Sequence, residues 1–102
     1  MNNETPPDFI NDEGTKMWYK GDKLHREDGP AKVYLNGYMY WYFEDELHNL
    51  NGPAIICPDG HIEWYVHGRR IIPSRYNRVK NPDKCKYPQL VKAMILHRVH
   101  NS

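Results

Sequence analysis

Histidine is the residue type in this sequence with the widest range of possible chemistry. The chain contains His25, His48, His61 and His67 in its first 68 residues, and an imidazole can bind a metal ion or exchange a proton near neutral pH. His25 and His48 lie 23 residues apart, at equivalent positions of a repeated motif. With two strands per repeat, such residues lie about 10 Å apart, which is too far for both to bind one ion at about 2 Å. We therefore predict no metal site, and we expect both histidines to form structural hydrogen bonds in turns.

His25 is also close in sequence to Glu27 and Asp28, a combination of side chains that could move protons. The sequence has no glycine-rich phosphate loop, nucleophile elbow or zinc-protease motif, and its only serines are Ser74 and Ser102. The repeated link sequence accounts for the same acidic residues without any chemistry. We therefore predict that the protein is not an enzyme and uses no cofactor.

Charged residues are distributed unevenly along the chain, although the net charge is only +1. Residues 1–68 contain five Lys or Arg and twelve Asp or Glu, whereas residues 69–102 contain nine Lys or Arg and one acidic residue, Asp83. Two interpretations remain open: the basic segment folds back onto the acidic part, or it stays available for an acidic partner such as nucleic acid. The candidate residues for the second role are Arg69, Arg70, Arg75, Arg78, Lys80, Lys84 and Lys86.

A 23-residue repeat places these side chains and covers most of the chain. Its landmarks are Pro7, Pro30 and Pro53, then Gly14, Gly37 and Gly60, then Trp18, Trp41 and Trp64. A fixed period of this length is typical of stacked supersecondary units. The sequence therefore predicts three stacked units rather than a conventional mixed core.

Each unit has the sequence pattern of a β-hairpin. Residues 31–35 and 38–42 flank an Asn-Gly dipeptide at 36–37, which predicts a two-residue type I′ turn between two strands. The Asp-Gly dipeptide at 59–60 predicts the same turn in the next unit, and Glu-Gly at 13–14 predicts a weaker one in the first. Three consecutive hairpins give a twisted antiparallel sheet of about six strands.

The repeat ends near residue 72, and the chain changes character there. Residues 73–86 are a predicted basic connector, and residues 87–100 are a predicted helix with apolar side chains at helical spacing on one face. We expect that face to cover an apolar side of the sheet. The prediction is one domain over 1–102, mainly β, with an antiparallel sheet of three stacked hairpins in 7–72 and one C-terminal α-helix.

Cysteine usage and hydropathy indicate a cellular location. Cys57 and Cys85 are too few and too irregularly placed for a disulfide framework, so we expect free thiols. The sequence has no segment of transmembrane length and no signal-peptide pattern at its start. We therefore predict a cytoplasmic protein without a membrane partner.

Trp and Tyr occur as adjacent pairs at 18–19, 41–42 and 64–65. Neighbouring residues of a strand point to opposite faces, so Trp and Tyr should form two separate ladders, one in the core and one exposed. An exposed aromatic ladder could bind a protein or stack on bases. The candidate partner-binding residues are Tyr19, Tyr42 and Tyr65, with Glu44, Asp45 and Glu46 where the repeat is interrupted, and Arg69, Arg70, Arg75, Arg78 and Lys80.

The links at 18–31 and 41–54 resemble variant MORN repeats in both residue pattern and length. The Leu-His-Arg-Glu-Asp-Gly-Pro-Ala run at 24–31 is similar to a subgroup found in small phage, giant-virus and bacterial proteins. This resemblance implies a hairpin-repeat fold and a role in scaffolding or partner binding, with antitoxin-like or host-targeting roles proposed for some relatives. The chain departs from the pattern at 49–51, at Glu44 in place of a turn glycine, and in its basic C-terminal helix.

The leading hypothesis is a non-enzymatic interaction protein, a phage accessory protein that binds and inhibits a host protein in the host cytoplasm. One alternative is nucleic-acid binding through the basic C-terminal segment. Another is sequestration of a small nucleotide in an aromatic pocket between protomers. Unpaired sheet edges favour a homodimer, whereas acidic residues near the first strand oppose it.

Overall fold

The structure is a computed structural model that describes residues 5–100. Eleven short strands precede two 3-10 turns and one helix in this part of the chain. The strands are β1 (Phe9–Ile10), β2 (Lys16–Met17), β3 (Tyr19–Lys20), β4 (Lys23–Leu24), β5 (Lys32–Val33), β6 (Met39–Tyr40), β7 (Tyr42–Phe43), β8 (Glu46–Leu47), β9 (Ile55–Ile56), β10 (Ile62–Val66) and β11 (Arg69–Ile71). The 3-10 turns are Pro73–Tyr76 and Pro82–Lys84, and helix α1 is Pro88–His100.

Seven of the strands form one sheet in the order β1-β2-β5-β6-β9-β10-β11, and every neighbouring pair is antiparallel. Two further hairpins, β3-β4 and β7-β8, form small two-stranded sheets beside it. The predicted fold class is confirmed, since the chain is mainly β with a large antiparallel sheet of hairpins and a C-terminal helix.

Each repeat builds two hairpins, and a tryptophan connects them. The Trp41 N–H donates to the Ala54 carbonyl in the large sheet at 2.8 Å, while the Trp41 carbonyl accepts from the His48 N–H in the short hairpin at 3.0 Å. Trp18 makes the same two bonds with Ala31 and His25, at 2.9 and 3.0 Å. The backbones of Trp18 and Trp41 therefore belong to both sheets, and the predicted continuous strand 38–42 is divided at Trp41 into β6 and β7.

The predicted type I′ turn at the Asn-Gly dipeptide is wrong. Gly37 N–H donates to the Tyr34 carbonyl at 3.0 Å, and Tyr34 N–H donates to the Tyr38 carbonyl at 2.9 Å, which encloses a loop of three residues. Only Gly37 of the dipeptide has a positive φ, 103°, as expected for a type I turn followed by a left-handed residue. Both central residues have positive φ instead in the β7-β8 turn, at Glu44 (46°) and Asp45 (71°).

The core lies between the last repeat and the helix. Trp64 and Val66 of β10 pack against Leu90, Val91 and Met94 of α1, and all five side chains are buried. Because residues two apart in a strand share a face, this places the whole tryptophan side of β10 under the helix. The helix therefore covers the Trp ladder at one end of the sheet and leaves the tyrosine side open.

The described residues contain no helix long and apolar enough to cross a membrane. Cys57 and Cys85 are both free and partly exposed. The described chain is elongated, with principal extents of 46 × 30 × 28 Å, as expected when hairpins stack along one axis.

Candidate functional site

The two repeated histidines join successive repeats. His25 Nδ1 accepts a hydrogen bond from the Glu44 N–H at 3.1 Å, and His48 Nδ1 accepts one from the His67 N–H at 2.9 Å. Burial lowers the pKa of His48 below its usual value, and the neighbouring His67 adds to this effect. These bonds confirm the structural role predicted for the two histidines. Within residues 5–100, no group of three or more His, Cys, Asp and Glu side chains could hold a metal ion.

Arg26 occupies the face of Trp18 in the first link. Its guanidinium carbon lies 4.1 Å from the ring centroid, its Nε is 2.7 Å from Asp28 Oδ1, and its Nη1 donates to the Pro30 carbonyl at 3.1 Å. Hydrogen bonds from Arg26, and then from Thr5, lower the pKa of Asp28 to about 2. A Cβ at position 29 would lie 2.9 Å from Arg26 Cζ, so a larger residue there would displace the guanidinium. Asp28 therefore has a structural role, which leaves the acid–base cluster without its second carboxylate.

The second link preserves one of these contacts with a shorter side chain. Asn49 Nδ2 donates to the Pro53 carbonyl at 2.9 Å, and Asn49 Oδ1 accepts from the Asn51 N–H at 2.9 Å. Asparagine cannot reach over Trp41, which is only partly buried, whereas Trp18 is 6% exposed. The departure from the repeat at 49–51 therefore changes how the tryptophan is covered while the backbone connection stays the same.

A cluster of aromatic side chains occupies the open side of the large sheet. We call it the tyrosine face and define it as Lys32, Tyr34, Tyr38, Tyr40 and Tyr42. Tyr34 lies 6.5 Å from Tyr38 and 5.7 Å from Tyr40, and Tyr40 lies 6.5 Å from Tyr42, measured between ring centroids. All four tyrosines are at least partly exposed, in contrast to Trp18 and Trp64 of the other side, which are buried.

Lys32 places a positive charge within the tyrosine face. Its Nζ lies 5.0 Å from the Tyr34 ring centroid, within the range of a cation–π contact. The Tyr34 side chain raises the pKa of Lys32, and Tyr42 and Tyr19 add smaller contributions. Burial raises the pKa of the Tyr42 hydroxyl. The face therefore combines four phenol side chains with one ammonium group.

The structure brings only part of the predicted tyrosine set together. Tyr42 belongs to the tyrosine face, and Tyr19, which is 37% exposed, is close enough to Lys32 to affect its pKa. Tyr65 has a different environment, because its hydroxyl donates to Glu63 Oε1 at 3.1 Å.

Sequence reasoning missed Lys32, Tyr34, Tyr38 and Tyr40. The signal was present in the period-two spacing of 32 and 34 and of 38, 40 and 42, which puts these side chains on one side of the sheet. The prediction considered only the tyrosines of the repeated Trp-Tyr pairs. Three of the four tyrosines of the tyrosine face therefore occupy strand positions that the repeat does not preserve.

The predicted acidic residues lie at the tip of the β7-β8 hairpin. Asp45 Oδ1 accepts from the Leu24 N–H at 2.7 Å, so this carboxylate fastens the hairpin to the preceding link. Glu46 Oε1 lies 3.4 Å from His67 Nδ1, and the Glu44 side chain is exposed. Glu44 and Glu46 thus remain accessible, whereas Asp45 has a structural contact.

The predicted basic residues divide into two groups. Arg69 and Arg70 of β11 and Arg75 of the first 3-10 turn line one surface cavity, together with Lys86. Arg78 and Lys80 are exposed on the connector and are not part of this lining. The structure therefore places four of the seven predicted basic residues around one cavity.

No model of a known protein family, no curated protein and no solved structure matches this chain. The resemblance to MORN repeats accordingly rests on the repeated motif residues. Among the described residues, the tyrosine face and the cavity lined by Arg69, Arg75 and Lys86 are the two surfaces on which the functional proposals rest.

Proposed function

We propose that this chain is a non-enzymatic protein-interaction module built on MORN-like repeats, and that the tyrosine face binds its partner. The observation that supports this proposal is the tyrosine face itself, with four clustered tyrosines around Lys32 on the side of the sheet opposite the helix. The tryptophan side is unsuitable where α1 covers it, since Trp64 is 4% exposed.

Tyrosine is well suited to such a surface for physical reasons. The side chain offers a large apolar area with few rotatable bonds, so little entropy is lost when it is ordered in a complex. Its hydroxyl can still form a hydrogen bond at the rim of an interface. Tyrosine is also one of the residue types that dominate the binding energy of protein interfaces.

The resemblance to small phage and bacterial MORN-like proteins supports a more specific proposal. The chain is a phage accessory protein that acts in the host cytoplasm by binding and inhibiting a host protein. Inhibition requires only tight binding that covers a functional surface of the partner, so it needs no catalytic residues. The structural contacts of His25 and Asp28 are consistent with that mode of action.

The test begins with capture of bacterial proteins on the immobilised chain, followed by purification of the captured partner. A Tyr38→Ser, Tyr40→Ser variant should bind the purified partner at least about tenfold more weakly, since each truncated hot-spot residue costs about 1 kcal/mol or more. Leu96→Ser is the matched control, because Leu96 is a 58% exposed apolar residue on the helix. Equal affinity of the two variants for the partner would exclude the tyrosine face as the binding surface.

Light scattering distinguishes a second copy of the chain from a foreign partner. Self-association through the tyrosine face would give a mass that rises with concentration in the wild type and not in the Tyr38→Ser, Tyr40→Ser variant. Such a result would replace the proposal of a host protein by a homodimer.

A further inference from the structure

The basic C-terminal segment is not neutralised by the acidic repeats. Among the Lys and Arg side chains of residues 69–98, the ion pair that reaches an acidic residue of the repeats is Arg70 with Glu63, at 3.8 Å. Lys92 pairs with Asp83 inside the segment at 2.7 Å, and Arg98 donates to the neutral Asn77. The helix is held to the sheet by apolar contacts instead. Most of the positive charge of this segment is therefore available to an external anion.

Several of the available charges converge on one cavity. Arg69 and Arg70 of β11 both line it, and Arg70 is the residue paired with Glu63. The available charges are those of Arg69, of Arg75 from the Pro73–Tyr76 turn, and of Lys86 from the chain just before α1. The cavity has a volume of about 490 Å³, and no Asp or Glu contributes to its lining. We call it the basic cavity. Three separate elements bring cations to it, so only the folded chain assembles it.

Two tyrosines complete the basic cavity. Tyr76 and Tyr87 line it, and both pack against the core on their other side. Lys86 Nζ lies 5.5 Å from the Tyr87 ring centroid, which holds that ammonium at the wall. The Tyr76 ring therefore offers an aromatic surface beside the guanidinium groups.

These features fit a phosphate group attached to an aromatic base. Arg presents a planar fork of donors that matches phosphate oxygens. Several cations in one concave site also raise the local concentration of anions. A base can stack on a tyrosine ring whatever its sequence, and the volume is in the range of small-molecule sites. A simple inorganic anion would use the cations and leave the aromatic wall without a contact.

We propose that the basic cavity binds a nucleotide unit, with its phosphate on Arg69, Arg75 and Lys86 and its base against Tyr76. The unit is supplied either by a free mononucleotide or by a single-stranded nucleic acid. This site uses none of the residues of the tyrosine face, so the experiments below test it independently of the protein-binding proposal.

The test uses fluorescence anisotropy with a labelled oligodeoxythymidine of about 12 nucleotides, a length within the usual range of single-strand binding sites. An Arg69→Gln, Arg75→Gln variant should bind at least about tenfold more weakly than the wild type, because two charge-assisted phosphate contacts are lost. Lys20→Gln, Lys23→Gln is the matched control, since it removes two exposed charges from β3 and β4. We expect the control to change the affinity less than about twofold, because these charges lie outside the basic cavity.

Salt dependence and competitors identify the ligand. If three or four cations contact phosphates, the logarithm of the affinity should fall with the logarithm of salt concentration with a slope of about −2 to −3. Competition by AMP at an affinity similar to that of the oligonucleotide indicates a free nucleotide, and competition only by unlabelled oligonucleotide indicates a strand. Either result supports the site.

Three results would overturn the inference. The first is the absence of binding at low salt, and the second is an equal loss of affinity in the cavity variant and its control. The third is competition by polyglutamate or by an abasic oligonucleotide as effective as that by oligodeoxythymidine, because the site would then recognise negative charge without a base. Circular dichroism of both variants verifies that they are folded, and all of the substituted side chains are exposed.

Discussion

Replacing Arg26 measures how much its contacts stabilise the first link. Asn49, at the equivalent position of the second link, provides an internal reference. Arg26→Ala removes the hydrogen bond to the Pro30 carbonyl, made at 3.1 Å, and the stacking on Trp18, made at 4.1 Å. It also removes the ion pair with Asp28, whose exposed carboxylate adds little at neutral pH. A hydrogen bond from a charged donor contributes about 1.5 kcal/mol, and a cation–π contact contributes about 1 kcal/mol when partly shielded from water. The Arg26 side chain is 6% exposed, so both contributions should be retained with little screening. We expect Arg26→Ala to lower the free energy of unfolding by about 2.5 kcal/mol.

Two companion variants separate these contributions. Asn49→Ala removes only neutral hydrogen bonds and should cost about 1 kcal/mol. Arg26→Asn reproduces the second link in the first, so it should retain the carbonyl bond and lose mainly the stacking, about 1 kcal/mol.

Urea denaturation followed by far-ultraviolet circular dichroism measures the three free energies of unfolding. Tryptophan emission provides a separate readout, because Trp18, now 6% exposed, should shift to longer wavelength when its cover is removed. Equal destabilisation by Arg26→Ala and Asn49→Ala, or an unchanged emission maximum in Arg26→Ala, would refute the reasoning.

Three further predictions concern pH and packing. The folded-state pKa of Asp28 is lowered from 3.8 to about 2, so its contribution to stability is present above about pH 4 and is lost as the pH falls towards 2. When the free energy of unfolding is measured against pH, this loss should appear in the wild type and be much smaller in Arg26→Ala. Burial holds the pKa of His48 below 6.5, so the folded state binds fewer protons than the unfolded state. The free energy of unfolding should therefore decrease as the pH falls below about 6.5. An NMR titration that gave the His48 imidazole a pKa of 6.5 or higher would contradict this. Met94→Ala should destabilise the protein by about 2 to 5 kcal/mol, because Met94 is 5% exposed in the core. Leu96→Ala, at a 58% exposed site, should change stability by less than about 0.5 kcal/mol. The same urea assay measures both.

Turn chemistry shows where local sequence rules succeed and where they fail. The Gly landmarks correctly mark hairpin loops, and Gly37 has the positive φ that a left-handed position requires. The loop length was mistaken because an Asn-Gly dipeptide suits both a two-residue turn and the end of a three-residue turn. The bonds of Tyr34 to Gly37 and Tyr38 decide between them, and strand register is set by pairing across the sheet rather than by the dipeptide.

The short hairpins were not predicted, for a related reason. Glu44 and Asp45 carry the backbone of a tight turn although neither is glycine. The contacts that hold this turn come from the preceding repeat, through His25 Nδ1 and the Leu24 backbone. A residue held in a left-handed conformation by a neighbouring repeat gives no local sequence signal.

The sequence by itself determined the repeat, and with it the antiparallel hairpin sheet and the C-terminal helix, because these follow from local period, turn residues and apolar spacing. It also determined that Trp and Tyr would separate onto two sides, since alternation is a property of every strand. Tertiary structure decided which side stays open, because α1 docks on Trp64 and Val66 through apolar burial. It also decided that the basic segment keeps most of its charges available, since ion pairing depends on where side chains meet in space. Within residues 5–100, Arg70 is the one Lys or Arg residue of this segment that pairs with an acidic residue of the repeats. A repeat pattern in the sequence does not predict which distant residues pack together. Both candidate binding surfaces depend on that long-range packing.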